Sequence, residues 1–230
     1  MLIGPQNLTA HVNHVRSRIR HAALAVGRDP DSVTLVAVSK GKNAESIGQA
    51  ATAGVTDFGE NYLQEAIPKI DQLGQLKVRW HYIGQIQSNK TRLIAQRFAW
   101  VHSLDRIGIA RRLSEQRPFH APPLQVCLQV AVIAEPAKGG VDPESLPQLA
   151  AQVAELPRLH LRGLMCIPPP QPDAANERAV FARLRELKDG LNANGLKLDT
   201  LSMGMSADFE SAIAEGATMV RIGTALFGAR

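Results

Sequence analysis

The chain has 230 residues, 45% hydrophobic and 20% charged, which suits a folded globular protein and excludes collagen-like, coiled-coil and wholly disordered classes. Lys and Arg number 26 against 21 Asp and Glu, so the net charge is +5 and an anionic partner is favoured; at 4% aromatic residues, a stacking platform for single-stranded nucleic acid is poorly supported. No run approaches the roughly 20 apolar residues of a membrane-spanning helix, and the first residues lack the pattern of a secretion signal, so the expected compartment is the cytoplasm.

In chain order, a helical pattern over Asn7–Val26 comes first. Apolar, strand-like runs then alternate with helix-like segments: strand Val33–Ser39, helix Ala44–Ala53, strand Val55–Phe58, helix Tyr62–Leu73, strand Val78–Ile83, helix Asn89–Phe98 and strand Trp100–Ser103. Helix Arg106–Gln116, strand Leu124–Val132, helix Pro143–Leu156, strand Leu159–Cys166, helix Ala174–Ala193, strand Asp199–Met203, helix Ala207–Ala214 and strand Met219–Ile222 complete the series. The runs are rich in Val, Ile and Leu without strict polar alternation, as strands covered on both faces should be. Gly27, Gly54, Gly74 and Gly195 stand where helices should stop, and Asp142-Pro143 reads as an N-cap followed by a first-turn proline. With no Pro/Gly/Ser-rich linker, the expectation is one α/β domain over 1–230, a (β/α)8 TIM-type barrel.

In such a barrel, ligands bind at the C-terminal ends of the strands. Lys40 ends the first apolar strand, where partial desolvation would free a nucleophilic amine. The alternative is an ordinary solvated lysine. After the seventh and eighth runs come Gly204, Ser206, Arg221, Gly223 and Thr224. Small residues, hydroxyls and a permanent charge on neighbouring loops suit a phosphate, with Ser206 able to cap the next helix. His81 lies inside a strand and reads either as a packed core residue or as a site residue. Gln87-Ser88-Asn89-Lys90 reads as a helix start. His11, His14, Arg18 and His21 share one helix face without a carboxylate or thiol to complete a metal site. Arg106, Arg111, Arg112 and Arg117 read as the solvated outside of a helix, and Cys127 and Cys166 as small buried hydrophobes.

Ala37-Val38-Ser39-Lys40, Phe58-Gly59-Glu60-Asn61-Tyr62, and the run from Trp80-His81-Tyr82-Ile83-Gly84 to Lys90 together resemble the YggS/PROSC family of pyridoxal phosphate (PLP) homeostasis proteins. Gly163–Pro168, Leu201–Ser206 and Met219–Arg230 match as well, in family order. The resemblance implies a barrel like the N-terminal domain of bacterial alanine racemase, without its C-terminal β domain. It implies PLP held as an aldimine on Lys40 and phosphate held by Ser206, Gly223 and Thr224. Asn61, His81 and Met203 would line the pocket. Arg221 would face either the ring nitrogen or the phosphate. Lys42 and Lys138 match lysines that could assist PLP transfer. Tyr82, Cys166, Ala207 and Ala137 depart from the residues usual at their positions.

Two PLP readings follow. The first is a non-catalytic carrier, a monomer that stores PLP or delivers it to apo PLP-dependent enzymes and so affects amino-acid and keto-acid balance. The second is a racemase-type enzyme, which needs a second acid/base; Tyr62 and Tyr82 are the only tyrosines available. A third reading, a PLP-independent phosphate or nucleic-acid binder, would not depend on Lys40. The carrier is the expected function, with PLP as cofactor and neither nucleic acid nor membrane as partner.

Overall fold

The computed structural model describes residues 5–133 and 139–228. The first helix, α1 (Pro5–Ala25), and a 3-10 turn (Pro30–Ser32) precede β1 (Thr34–Val38). Then come α2 (Ala44–Thr52), β2 (Asp57–Glu60), α3 (Leu63–Gln72), β3 (Arg79–Tyr82), a second 3-10 turn (Ser88–Lys90), α4 (Thr91–Arg97) and β4 (Trp100–Leu104). The second half holds α5 (Ile107–Gln116), β5 (Leu124–Gln129), α6 (Leu146–Ala154), β6 (Leu159–Met165), α7 (Ala174–Ala193), β7 (Thr200–Ser202), α8 (Phe209–Ala214), β8 (Met219–Ile222) and the short α9 (Thr224–Phe227). All eight strands are parallel, each beside its successor, and β8 closes on β1. The expected barrel is therefore present. No helix among the described residues is long and apolar enough to cross a membrane.

Successive strand residues point to opposite faces, so each strand feeds two cores. The outward set, including Ala37, Phe58, Val101, Val126, Leu164 and Val220, is buried against the helices. The smaller inward set holds Val36, Trp100, Cys127, Met165 and Met219. His102 on β4 reaches Ser202 on β7, strands that are not neighbours, so their contact crosses the barrel interior.

Local chemistry moves some boundaries. Asp142 accepts backbone bonds in a turn before α6, whose N-cap position is Ser145, so the helix starts later than the Asp142-Pro143 pair predicts. The fifth run keeps ladder pairing only to Gln129, beyond which Val130 bridges Val141. Gly27, Gly54 and Gly195 adopt left-handed conformations after their helices, as expected; Gly74 is not among the left-handed glycines. Arg117 is not solvated: it is buried, and its guanidinium donates to the carbonyls of Ala95, Phe98 and Pro122. Asn43 and Asp173 cap α2 and α7 through their side chains.

One glycine shows how tightly the barrel closes. A Cβ on Gly163 in β6 would stand 1.8 Å from the Thr200 carbonyl oxygen of β7. Backbone must move to admit it, so Gly163→Ala should cost about 3 kcal/mol or lose the fold. Gly190 near the end of α7 has open space around its Cβ position, and Gly190→Ala should instead stabilise by about 0.5–1 kcal/mol. Urea midpoints of the two variants should move in opposite directions from wild type.

Candidate functional site

A cleft of about 330 Å³ opens at the C-terminal ends of the strands. Val38 and Lys40 enter it from the end of β1, Asn61 from the loop after β2, Ile83 from beyond β3 and Ile167 from beyond β6. Met205, Ser206 and Ala207 enter from the loop after β7, and Arg221, Gly223 and Thr224 from β8 and the start of α9. Lys40, Asn61, Ser206, Arg221, Gly223 and Thr224, all singled out in the sequence, thus meet around one cavity.

The Lys40 turn is held from below by a buried polar cluster. Ser39 Oγ donates to Glu60 Oε1 at 2.6 Å, and Lys69 Nζ donates to the same oxygen at 2.8 Å and to the Ser39 carbonyl at 2.9 Å. The Gly41 amide donates to Glu65 Oε2 at 2.7 Å. Burial pushes the Glu60 carboxyl above its ordinary value, against the pull of Lys69 and Ser39. Lys40 itself is half-buried at the rim. Asn61 Oδ1 is buried and has no hydrogen-bond partner among the described residues. An acceptor left unmade in a cleft wall is a group that a ligand can satisfy.

The loops after β7 and β8 are tied together. Gly204 sits at φ +91°, and a Cβ there would meet Ala212 Cβ at 2.6 Å, so the turn and its packing both exclude a side chain. Its carbonyl accepts from the Arg221 amide at 3.0 Å. Ser206 does not cap α8: Asp208 takes that position, with its Oδ1 accepting from the Met205 amide. Ser206 Oγ instead accepts from the Ala225 amide in the first turn of α9 at 3.4 Å. Ser206, Gly223 and Thr224 therefore line the same cleft, two hydroxyl residues beside a glycine at the start of α9.

Arg221 is buried at the cleft floor. Its Nη1 donates to the Ser202 carbonyl and to Ser202 Oγ, both at 2.7 Å, and its Nη2 donates to the Cys166 carbonyl at 2.9 Å. Below it, His102 Nδ1 lies 2.7 Å from Ser202 Oγ, and His102 Nε2 lies 2.9 Å from His81 Nδ1. His81 Nε2 lies 2.9 Å from Asp57 Oδ1, to which Arg79 Nε also donates, while Arg79 Nη2 donates to Asp57 Oδ2. Burial pushes both imidazoles below their ordinary value, His102 further because His81 and Arg221 add to it. His81 and Arg79 hold the Asp57 carboxyl down despite its burial.

Two expected lining residues lie elsewhere. His81 belongs to this interior chain because its strand position points inward below the rim, and Met203 is fully buried in the outer core. Lys42 donates to the Phe227 and Gly228 carbonyls at 3.1 and 3.4 Å, tying the Lys40 loop to the end of α9. Lys138 lies outside the described residues. His11 is not simply solvated, for its Nδ1 lies 3.0 Å from the Leu226 carbonyl. No group of metal-ligating side chains occurs among the described residues. Both thiols are buried and pushed up to about 12, so they are inert small hydrophobes as expected. Asp57, His102 and Ser202 were not singled out as site residues in the sequence. Their signal was a polar residue at an inward position of an otherwise apolar strand.

The interior chain makes stability depend on pH. Both imidazoles titrate below 6.5 in the folded protein, so the unfolded chain binds protons first as pH falls. Stability should be full above about pH 7 and decline into acid by up to about 1.4 kcal/mol per pH unit for each histidine. Urea midpoints at about pH 7.5 and 5.5 should show this in Glu60→Gln, which removes a raised carboxyl that acts in the opposite sense, and a midpoint that does not fall with pH there would contradict neutral burial.

Comparison with known proteins finds relatives along nearly the whole chain. The profile described as "Alanine racemase, N-terminal domain" matches residues 10–230. A protein of Pseudomonas aeruginosa called "Pyridoxal phosphate homeostasis protein" is 60% identical over 97% of this chain and 96% of its own. The Escherichia coli protein of the same name is 48% identical, covering 97% of each chain. PipY of Synechococcus elongatus, solved with PLP bound, is 41% identical with a TM-score of 0.81 over 92% of this chain and 99% of its own. Alanine racemase from Corynebacterium glutamicum, 17% identical, shares the fold at a TM-score of 0.70 over 95% of this chain and 62% of its own. The chain belongs to the family of pyridoxal phosphate homeostasis proteins.

Proposed function

We propose that this protein binds PLP in the rim cleft and acts in PLP homeostasis as a non-catalytic carrier. The observation that carries the reading is convergence: an amine residue, two hydroxyl residues, a glycine and a buried guanidinium come from separate segments to one cleft of about 330 Å³. A phosphorylated aldehyde needs that set. Lys40 Nζ is the amine that would hold the aldehyde covalently. Ser206, Thr224 and the Gly223–Thr224 backbone would hold the phosphate. Asn61 offers its unpartnered amide oxygen to a polar edge of the ring. Arg221 is anchored to Ser202 and Cys166 on the floor, below the loops that carry the hydroxyls. That anchoring favours the ring nitrogen over the phosphate as its partner. When bound, PLP supplies the electron-withdrawing ring that amino-acid chemistry uses.

The racemase reading needs a second acid/base across the ring. The Tyr82 hydroxyl donates to the Gln85 carbonyl at 3.1 Å and is pushed up to about 12 by burial, which suits a packing role and not a base. Tyr62 is 51% exposed beside it. The occupied Tyr82 hydroxyl supports the carrier over the racemase, and the carrier proposed is a single cytoplasmic barrel domain, a monomer that passes PLP to apo PLP-dependent enzymes. Lys42, occupied at the end of α9, is assigned to holding the cradle and not to transfer.

Purified wild-type protein mixed with PLP should show a near-ultraviolet or visible band that borohydride reduces and Lys40→Ala lacks. No band in the wild type would sink the PLP reading and leave a phosphate-binding barrel. Ser206→Ala and Thr224→Val should each weaken PLP binding about tenfold, equivalent to about 1.4 kcal/mol, with the unfolding midpoint little changed. Weakening confined to inorganic phosphate would instead detach the cradle from PLP.

A further inference from the structure

The side chains inside the barrel form an unbroken line from one end to the other: Arg221, Ser202, His102, His81 and Asp57. Arg221 closes it at the cleft floor. Asp57, the first residue of β2, closes it at the opposite end, where it lines a separate cavity with Arg79 and Arg16. Every link measures 2.7–2.9 Å, and every member is buried.

The two ends have fixed chemistry. A guanidinium can only donate, and an ionised carboxylate can only accept. A neutral imidazole between them donates from one nitrogen and accepts at the other. Asp57 Oδ1 therefore accepts from His81 Nε2–H, and His81 Nδ1 accepts from His102 Nε2–H. His102 Nδ1 then accepts the Ser202 hydroxyl proton, which leaves a Ser202 lone pair facing Arg221 Nη1. Reversing the line requires an extra proton on an imidazole in the barrel core, within a chain that already ends on Arg221. Burial opposes that charge.

We infer that Asp57, His81, His102 and Ser202 are positioning residues for Arg221, acting as a one-way hydrogen-bond chain that sets the guanidinium at the cleft floor from the far end of the barrel. A polar layer that merely fills the barrel would hold Arg221 through the Ser202 and Cys166 carbonyls and would be indifferent to Asp57. The functional consequence rests on the PLP reading; the direction of the chain does not.

The test starts with 15N-labelled wild-type protein without added PLP at about pH 7.5, using long-range proton–nitrogen spectra of the imidazoles. His81 and His102 should each be protonated at Nε2 only. Protonation at Nδ1 of either ring, or at both nitrogens, overturns the chain. Asp57→Asn supplies an amide that can donate, so a population of His102 protonated at Nδ1 should appear. PLP titrations then read the consequence. Asp57→Asn and Ser202→Ala should each raise the Kd for PLP about fivefold and shift the absorption maximum of bound PLP, although Asp57 does not line the cleft. Wild-type affinity and an unmoved band in both variants overturn the positioning role. If wild type binds no PLP, the function proposed above fails, while the wild-type spectra still decide the direction of the chain.

Discussion

A guanidinium buried at the mouth of a closed barrel is the constraint around which the interior is organised. Isolated, such a charge would cost far more than a domain's net stability. Arg221 is tolerated because its donors reach the Ser202 carbonyl, the Ser202 hydroxyl and the Cys166 carbonyl. The opposite charge stands at the other end of the line, on Asp57, and is itself gripped by Arg79. Neutral histidines fill the space between, His81 stacked on Trp100 and His102 tilted against it, within the apolar layer of Val36, Cys127, Met165 and Met219. Removing one member would leave a buried donor or acceptor unmet.

The rim answers a different demand. Its loops must hold polar groups toward solvent without collapsing onto them. Glu60 and Lys69 brace the Lys40 turn from beneath, and Glu65 holds its Gly41 amide. Lys42 and the α1 residue His11 hold carbonyls of α9, while Ser206 joins the loop after β7 to the first turn of that helix. The amine and the hydroxyls therefore sit on backbone fixed by interactions outside the cleft. Such bracing is the usual condition for a site that must be ready before its ligand arrives.

The same barrel in alanine racemase, at 17% identity, shows that architecture alone does not assign chemistry. Here the buried Tyr82 hydroxyl is occupied by a carbonyl and hard to ionise, while Arg221, Ser202 and the histidines form an interior network.

Strand and helix order was legible in the sequence because Val-, Ile- and Leu-rich runs between helical segments follow from burial on both faces, a local property of composition. The rim residues Lys40, Ser206, Arg221, Gly223 and Thr224 were legible because strand ends in a parallel barrel converge on one mouth, and Asn61 through the family resemblance. What folding decided lay in contacts between distant segments. Whether His81 faces the cleft or the interior depends on strand stagger, which no single run encodes. That Ser206 serves α9 and not α8, and that Lys42 holds α9 carbonyls, depends on loops meeting across 19 and about 185 residues of chain. The pairing of His102 with Ser202, 100 residues apart and on non-adjacent strands, exists only once the sheet has closed on itself. Periodicity reports which side of a strand a residue takes; closure of the barrel alone determines what it meets there.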